Sequence, residues 1–502
     1  MEYTGFLTEF LLTFCVIWCC NHSSGSYAAA EVDIENNELE AMSQFTFNEV
    51  VFVLCSQQNS FHSQQAEVIR QKWMQELSAL IKSPHVLATH DAWAPVGSWT
   101  IIPLLSVLSS KYADKPPLWF FFAKEETEID FVKLHGTMKQ YDPTLHSFLG
   151  HALQDSVPSI LHHYASTSGD GVLRYPNFPS GWAMSYQLVS SLAKIDFKTP
   201  FNIDPQFELA FLARYKTGED MVQVLFSPQT VAPDGVILTH VDEFCLQQSA
   251  IKSCATHYTQ SVPFCGRSLS LSDIHIGVKT TEKFHNTRLP ILKDTWGKEA
   301  GDSICYYSEI EDTAAGTTSL GIPNIESGYC SKMYAILKRA ATHEELVTKS
   351  WLIITDDDTL LSVPRLLKML ACYNPMEPIL MGETYGFMAH QPVGYTYITG
   401  GGGMVLSRSA VDRIISRGRT CPRDDYPDDM FLGTTAKALD IDVVSSNLFH
   451  QAQPYNYPAV VLARQTAISF HRHTEQDPRA VYRQYLKDDM TQDITTSIKE
   501  EL

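Results

Sequence analysis

The chain has 502 residues, 44% of them apolar, 11% aromatic and 19% charged, which is material for more than one buried core and too little charge for a disordered chain. At roughly 150 residues per domain the length gives two or three domains, and two large ones is the working expectation. The formal net charge of -19 repels phosphate backbones and anionic lipid surfaces, which are held by clustered Lys and Arg, so nucleic acid is excluded as a partner class.

In chain order, the first feature is an apolar run from Phe10 to Cys20, followed by Asn21-His22-Ser23-Ser24-Gly25. Residues 1–25 read as a signal peptide: the run is too short to span a bilayer comfortably and small residues follow it, although Glu9 precedes it and no basic residue does. A type II membrane anchor is the competing reading. The other end, 486–502, closes on Lys499-Glu500-Glu501-Leu502, which looks like the KDEL-type address read by an endoplasmic reticulum retrieval receptor. The two ends together give an expectation of the endoplasmic reticulum lumen. Eight of the eleven cysteines lie outside the signal: Cys55, Cys245, Cys254, Cys265, Cys305, Cys330, Cys372 and Cys421. In an oxidising lumen they allow up to four disulfides, and none of their spacings suggests a zinc site.

Between the ends the chain repeats itself. Val51–Cys55 leads into Phe61-His62 and Trp73, as Ile274–Val278 leads into Phe284-His285 and Trp296. Leu118–Phe122, Tyr141-Asp142-Pro143 and Gly150 recur as Ser350–Ile354, Tyr373-Asn374-Pro375 and Gly382, all offset by 232 residues. Short buried runs such as Trp351–Ile354 alternate with helical patterns such as Arg365–Leu370. The expected fold class is therefore α/β, with a mainly parallel sheet in each of two tandem Rossmann-like domains. The boundaries are placed at 49–240 and 271–485, joined by a cysteine-containing linker at 241–270. Ligands of such sheets bind at the carboxyl ends of the strands.

The strand ending at Thr355 runs directly into Asp356-Asp357-Asp358. Clustered carboxylates at that place suit a hard divalent cation that also takes diphosphate oxygens; an Asp-rich turn capping the next helix is the structural alternative. His450, after the apolar stretch Ile441–Val444, is a candidate fourth ligand, and a mixed nitrogen and oxygen set favours Mn²⁺. Asp428 and Asp429 offer a base for a sugar hydroxyl, or caps for a helix. Lys279, Thr280 and Arg288 follow the first strand of the second copy, where cation and hydroxyl can hold a nucleotide diphosphate. Gly401, Gly402 and Gly403, in the run from Gly400, let backbone approach a ligand. The first copy lacks these groups. It has Lys124-Glu125-Glu126 for the Asp triplet, Gln65 for Arg288 and Phe178-Pro179-Ser180-Gly181 for the glycine run, and Phe226-Ser227 is matched with Phe449-His450. The first domain is expected to be non-catalytic.

Taken together, Val278–Thr281, Phe284-His285, Arg288, Thr295-Trp296, Gly321–Asn324, Thr355–Thr359, Gly400–Gly403, Asp428-Asp429 and Phe449-His450 resemble the Fringe-like β1,3-glycosyltransferases. With the duplicated first domain and the retrieval tail, the chain is most similar to the branch that glucosylates O-linked fucose on thrombospondin type 1 repeats. The resemblance implies two GT-A-like domains, Mn²⁺ on Asp358 and His450 with Asp356 and Asp357 near the nucleotide and metal, Thr280 and Arg288 on UDP, and Asp429 as the base in preference to Asp428. It implies UDP-glucose as donor and folded O-fucosylated repeats as acceptor, in one inverting displacement. Transfer of GlcNAc or galactose from UDP, or a luminal lectin without turnover, are the alternatives.

Overall fold

Each copy opens on a strand, the apolar Val50–Cys55 and the Ile274–Lys279 run that also carries His275 and Lys279, buried along its whole length, as expected for central strands covered by helices on both faces. The computed structural model describes residues 46–92, 101–155, 173–216, 234–249, 252–266, 268–472 and 475–488. The expected signal peptide, the Lys499–Leu502 tail and the Phe226-Ser227 pair lie outside them. Among the described residues no helix is long and apolar enough to cross a membrane.

In the first half, the strands that frame the site are β1 (Val50–Cys55), β2 (His85–Ala88), β3 (Trp119–Lys124), β4 (Thr127–Ile129), β5 (Phe148–Gly150), β6 (Trp182–Ser185), β7 (Phe201–Asn202), β8 (Thr239–His240) and β9 (Thr256–Tyr258). In the second half they are β10 (Ile274–Lys279), β11 (Ile304–Ser308), β12 (Thr317–Ser319), β13 (Trp351–Asp356), β14 (Thr359–Leu361), β15 (Ile379–Gly382), β16 (Thr384–Phe387), β17 (Tyr395–Ile398), β18 (Met404–Ser407), β19 (Asp442–Ser445) and β20 (Ser469–His471).

The two large sheets have the orders β8-β5-β6-β3-β1-β2 and β12-β11-β10-β13-β18-β15-β19. The six strands of the first match six of the seven in the second in order, and β12 is the extra edge strand. β1 is parallel to β2 and β3, β6 antiparallel to β3 and β5, and β8 parallel to β5; β10, β18 and β19 have the same relations to β11, β13 and β15. Each half adds a small antiparallel pair, β4 with β9 and β14 with β20. The repeat in the sequence is thus a repeat of topology, mainly parallel and interrupted by one antiparallel strand.

Strand alternation divides the second core between the two faces of its sheet. Trp351 and Ile353 pack with Ile276, Val278, Trp296 and Val405, whereas Leu352 and Ile354 pack with Ile336, Met404, Leu406 and Phe431. Fully burying each of these side chains contributes about 1.5–3 kcal/mol, so the strand ends that carry polar residues are held on a stiff frame.

The segment 241–270, expected as a linker, carries β9 and the disulfide Cys245–Cys254, while Cys265 joins Cys372 of the second half. Cys330 and Cys421 form a third disulfide, and Cys55 and Cys305 are free. Both halves lie within one compact unit that begins at Thr46. A third sheet, β17-β16-β7, draws one strand from the first half and two from the second.

Candidate active site

The register of β10 against β13 sets Lys279 opposite Asp356 at the carboxyl end of both strands. Their side chains pair at 2.9 Å, and the same buried ammonium reaches Asp428. Asp428 and Asp429 occupy the first turn of helix α1 (Asp428–Leu439), whose N-cap is Pro427 and has no side-chain cap bond. The turn puts their acidic groups at the positive end of the helix: Asp428 Oδ1 accepts the Asp429 N–H at 2.9 Å, and Asp429 Oδ1 accepts the Met430 N–H at 2.7 Å. The two are not equivalent. Asp428 is buried and neutralised by Lys279, while Asp429 is half-buried, and its burial and the neighbouring Asp428 charge push its carboxyl up to about 7. A carboxylate poised there is suited to take a proton near neutral pH.

The three aspartates of the triplet have separate fates. Asp357 turns inward, where it accepts from Thr280 Oγ1 at 2.8 Å and from Arg288 Nη1 at 2.6 Å. Arg288 also pairs with Asp358 at 2.9 Å and lies over the Phe284 ring at 3.8 Å from its centroid. Thr280 and Arg288 therefore stand with the aspartates, and with Lys279 they line a cleft of about 860 Å³. Asn324, Tyr329 and Lys332 complete its far wall. Lys332 was not legible as a site residue: its ammonium, buried beneath the cleft, donates to Thr280 O at 2.6 Å and pairs with Glu309 at 3.5 Å. Its position in an ordinary amphipathic helix, Cys330–Thr342, gives no sign of this.

Asp356 and Asp358 face a histidine, but not the expected one. His471, at the end of β20, is opposite Thr359 in the β14 ladder, and its Nε2 lies 3.0 Å from Asp358 and 3.8 Å from Asp356. One ligand atom from each of Asp356, Asp358 and His471 can meet within 4.8 Å. His450 is instead enclosed in the core, stacked on Phe470 at 4.4 Å, with Nδ1 at 3.0 Å from Ser469 O and Nε2 at 3.0 Å from Gln465 Oε1. Both of its ring nitrogens are committed, and burial lowers its proton affinity to a pKa of about 4. The displacement has a simple cause: β20 carries a second Phe-His pair, Phe470-His471, and only its pairing with β14 brings an imidazole to the carboxylates.

The triad fits a divalent cation. His471 Nδ1 lies 2.9 Å from the Gln451 carbonyl, and an N–H donated there leaves Nε2 as the lone-pair nitrogen turned to the two carboxylates. Burial opposes a charge on His471, but Asp358 more than offsets it and raises its pKa; Asp358 falls to about 2, its burial outweighed by His471 and Arg288.

The glycine run does not line the 860 Å³ cleft. It lies behind the triad. A Cβ on Gly401 would be 2.4 Å from His471 Nδ1, Gly402 N–H donates to Gln451 Oε1 at 3.1 Å, and Gly403 has φ +96°. Backbone approach is required, as expected of glycine, but the approaching group is the imidazole.

A Fringe-like family profile matches residues 269–492 of the chain. The β1,3-glucosyltransferase of Mus musculus is 39% identical over 479 residues, covering 94% of both chains, and that of Homo sapiens is 40% identical over 479 residues, covering 94% of this chain and 92% of the human one. The chain belongs to the β1,3-glucosyltransferase family. It is a hexosyltransferase. The β1,3-N-acetylglucosaminyltransferase lunatic fringe of Mus musculus is 28% identical over 226 residues, covering 40% of this chain and 60% of that one. The glucosyltransferase relatives thus extend over both halves, whereas the Fringe-like match is confined to the half that holds the triad.

Proposed function

We propose that this protein is an inverting β1,3-glucosyltransferase of the endoplasmic reticulum lumen that moves glucose from UDP-glucose to O-linked fucose on thrombospondin type 1 repeats. The observation that carries the reading is similarity to glucosyltransferases over 94% of the chain, including a first half that the Fringe-like match does not reach.

In this reading the large cleft takes UDP, with Arg288, Thr280 and Lys279 around its diphosphate and Asp356, Asp358 and His471 holding Mn²⁺, for which a mixed carboxylate and imidazole set is suited. The bound ion supplies Lewis-acid stabilisation of charge on the departing diphosphate. The remaining work falls to the chain. Asp357 fixes the Arg288 guanidinium by a hydrogen bond, and Phe284 supports its other face, so the cation is preorganised before substrate arrives. Lys279 neutralises Asp428 and leaves Asp429 as the free base. Asp429 removes the proton of the fucose 3-hydroxyl as that oxygen forms its bond to the anomeric carbon, while the bond to the diphosphate oxygen breaks and its electron pair leaves with UDP. One displacement converts the α-linked donor to a β-linked product without a covalent intermediate. The first half is assigned no turnover, since the residue matching His471 in the β4–β9 ladder is Tyr258, and the imidazole that does meet Glu125, that of His62, is also bonded to Tyr373 of the second half.

The test is incubation of the purified protein with Mn²⁺, an O-fucosylated thrombospondin repeat and a panel of UDP-sugars, read by mass spectrometry. A hexose added only from UDP-glucose is expected. Transfer only from UDP-GlcNAc or UDP-galactose would displace the donor, and no transfer would displace the activity.

A further inference from the structure

The β17-β16-β7 sheet presents one face made of aromatic side chains. Its register pairs Tyr397 with Tyr385, Tyr395 with Phe387 and Phe387 with Phe201, and because strand side chains alternate, directly paired residues share a face. The rings form a continuous path: Tyr385 to Tyr397 at 6.2 Å, Tyr397 to Tyr395 at 6.3 Å, Tyr395 to Phe387 at 5.7 Å, and Phe387 to Phe201 at 5.4 Å.

The path has a direction. At one end Tyr397 is buried against α1: a Cβ on Gly433 in that helix would lie 2.5 Å from Tyr397 Cβ and 2.9 Å from Tyr395 Cδ2. Burial, with the Asp429 carboxylate adding to it, pushes up the hydroxyls of Tyr395 and Tyr397, and Asp429 acts in the same sense on Tyr385. At the other end Phe201, from the first half, is 44% exposed. Among the described residues the hydroxyls of Tyr385 and Tyr397 meet no hydrogen-bond partner.

The seam that brings Phe201 here is rigid. The Ala389 N–H donates to Asn202 Oδ1 at 3.0 Å, Asn202 Nδ2 donates to the buried Glu208 at 2.9 Å, and His390 meets the same carboxylate at 3.3 Å. A side chain at Gly386 would lie 2.6 Å from Ala389 Cβ and 3.1 Å from Asn202 Cβ, so glycine is what lets the first-half strand pair there.

Resting on the proposed activity, we infer that this face is the acceptor platform, with Tyr385 and Tyr397 holding the deoxyhexose next to Asp429 and Phe387 and Phe201 holding the protein that carries it. A sugar with a methyl group and axial C–H bonds offers an apolar side to a ring and hydroxyls to free phenols, the mixture that tyrosine serves. The base needs an acceptor hydroxyl delivered to it, and the aromatic path runs from the base to the surface. The non-catalytic half enters the reaction by lending the outermost ring.

The test compares KM for a free aryl α-fucoside and for an intact fucosylated thrombospondin repeat, using the full chain with Mn²⁺ and UDP-glucose. Phe201→Ala, at an exposed position that does not threaten folding, and Phe387→Ala raise KM for the repeat by roughly three- to tenfold and raise that for the aryl fucoside less. Tyr385→Ala raises both. In each case KM moves more than kcat, and Val132→Ala, exposed on a helix of the first half, moves neither. Wild-type transfer with unchanged KM values in all three platform variants overturns the platform and leaves the activity standing, whereas absence of wild-type transfer overturns both. If Phe201→Ala alters the sedimentation coefficient and neither KM, the face is a contact between copies and the proposal fails.

Discussion

Two clefts open at equivalent ends of the two sheets, one of about 260 Å³ in the first half and one of about 860 Å³ in the second. The register that sets Lys279 beside Asp356 sets Cys55 beside Lys124, and burial pushes that thiol up to about 12, leaving it inert. The smaller cleft is also lined by the other half: Tyr373 and Ser445–Leu448 reach into it, and His62 there bonds both Glu125 and Tyr373. Gln57 exchanges two hydrogen bonds with the Ser445 backbone, and Ser60 donates to Glu377. In the proposed reading the same scaffold position therefore serves a ligand in one copy and packing in the other. What distinguishes them is where the imidazole beside the carboxylates comes from, the small ladder for His471 and the first helix, bonded across to the other half, for His62, and how much open space lies in front.

The largest expected break in this contrast is Asp429→Asn, which lowers kcat by about 10²–10⁴-fold while Mn²⁺ titration is unchanged. Next, His471→Ala and Gly401→Ala each weaken Mn²⁺ binding by about 10–100-fold, the second because the added methyl displaces the ring; isothermal titration with Mn²⁺ reads both. His450→Ala leaves that titration where it was and lowers stability by about 1–3 kcal/mol in a denaturant melt, since it empties a core position.

The pH profile sharpens the contrast further. With the Asp429 carboxyl at about 7, kcat falls tenfold per pH unit below that value if its carboxylate is the base. Stability moves the other way. Because the folded state holds this proton more tightly than the unfolded chain, whose carboxyl is near 3.8, its contribution is present below 3.8 and lost as pH rises to about 7. Asp429→Asn removes that loss, so the inactive variant melts higher than wild type above pH 7. The smallest effect is at the first cleft: Glu126→Ala leaves kcat and Mn²⁺ affinity unchanged, and a measurable loss in either would show that the first half holds metal.

Much of this was written in the chain. The common spacing of Phe61, Trp73, Phe284 and Trp296 revealed the duplication, and the doubly buried runs at Val51 and Trp351 gave the central strands. Asp356, Asp357 and Asp358 announced a site because three charges directly after an apolar strand stand at the end of a sheet. Less was legible where ladder pairing intervenes. The segment after residue 240 looked like a polar linker, yet it holds β9 and the Cys245–Cys254 disulfide. Gly150 pairs with His240 as Gly382 pairs with Ser445, so counting on from these pairs sets Phe244 and Cys245, and not Phe226 and Ser227, against Phe449 and His450.

By itself the sequence determined the number of copies, the α/β alternation and the carboxylates, because each depends on local periodicity and on residue type. The tertiary structure alone decided which histidine meets them, which aspartate of each group faces inward, and that a strand of the first half pairs with β16 of the second. Those outcomes depend on antiparallel register. In the β14–β20 ladder Thr359 faces His471, and a shift of one residue turns every side chain to the opposite face.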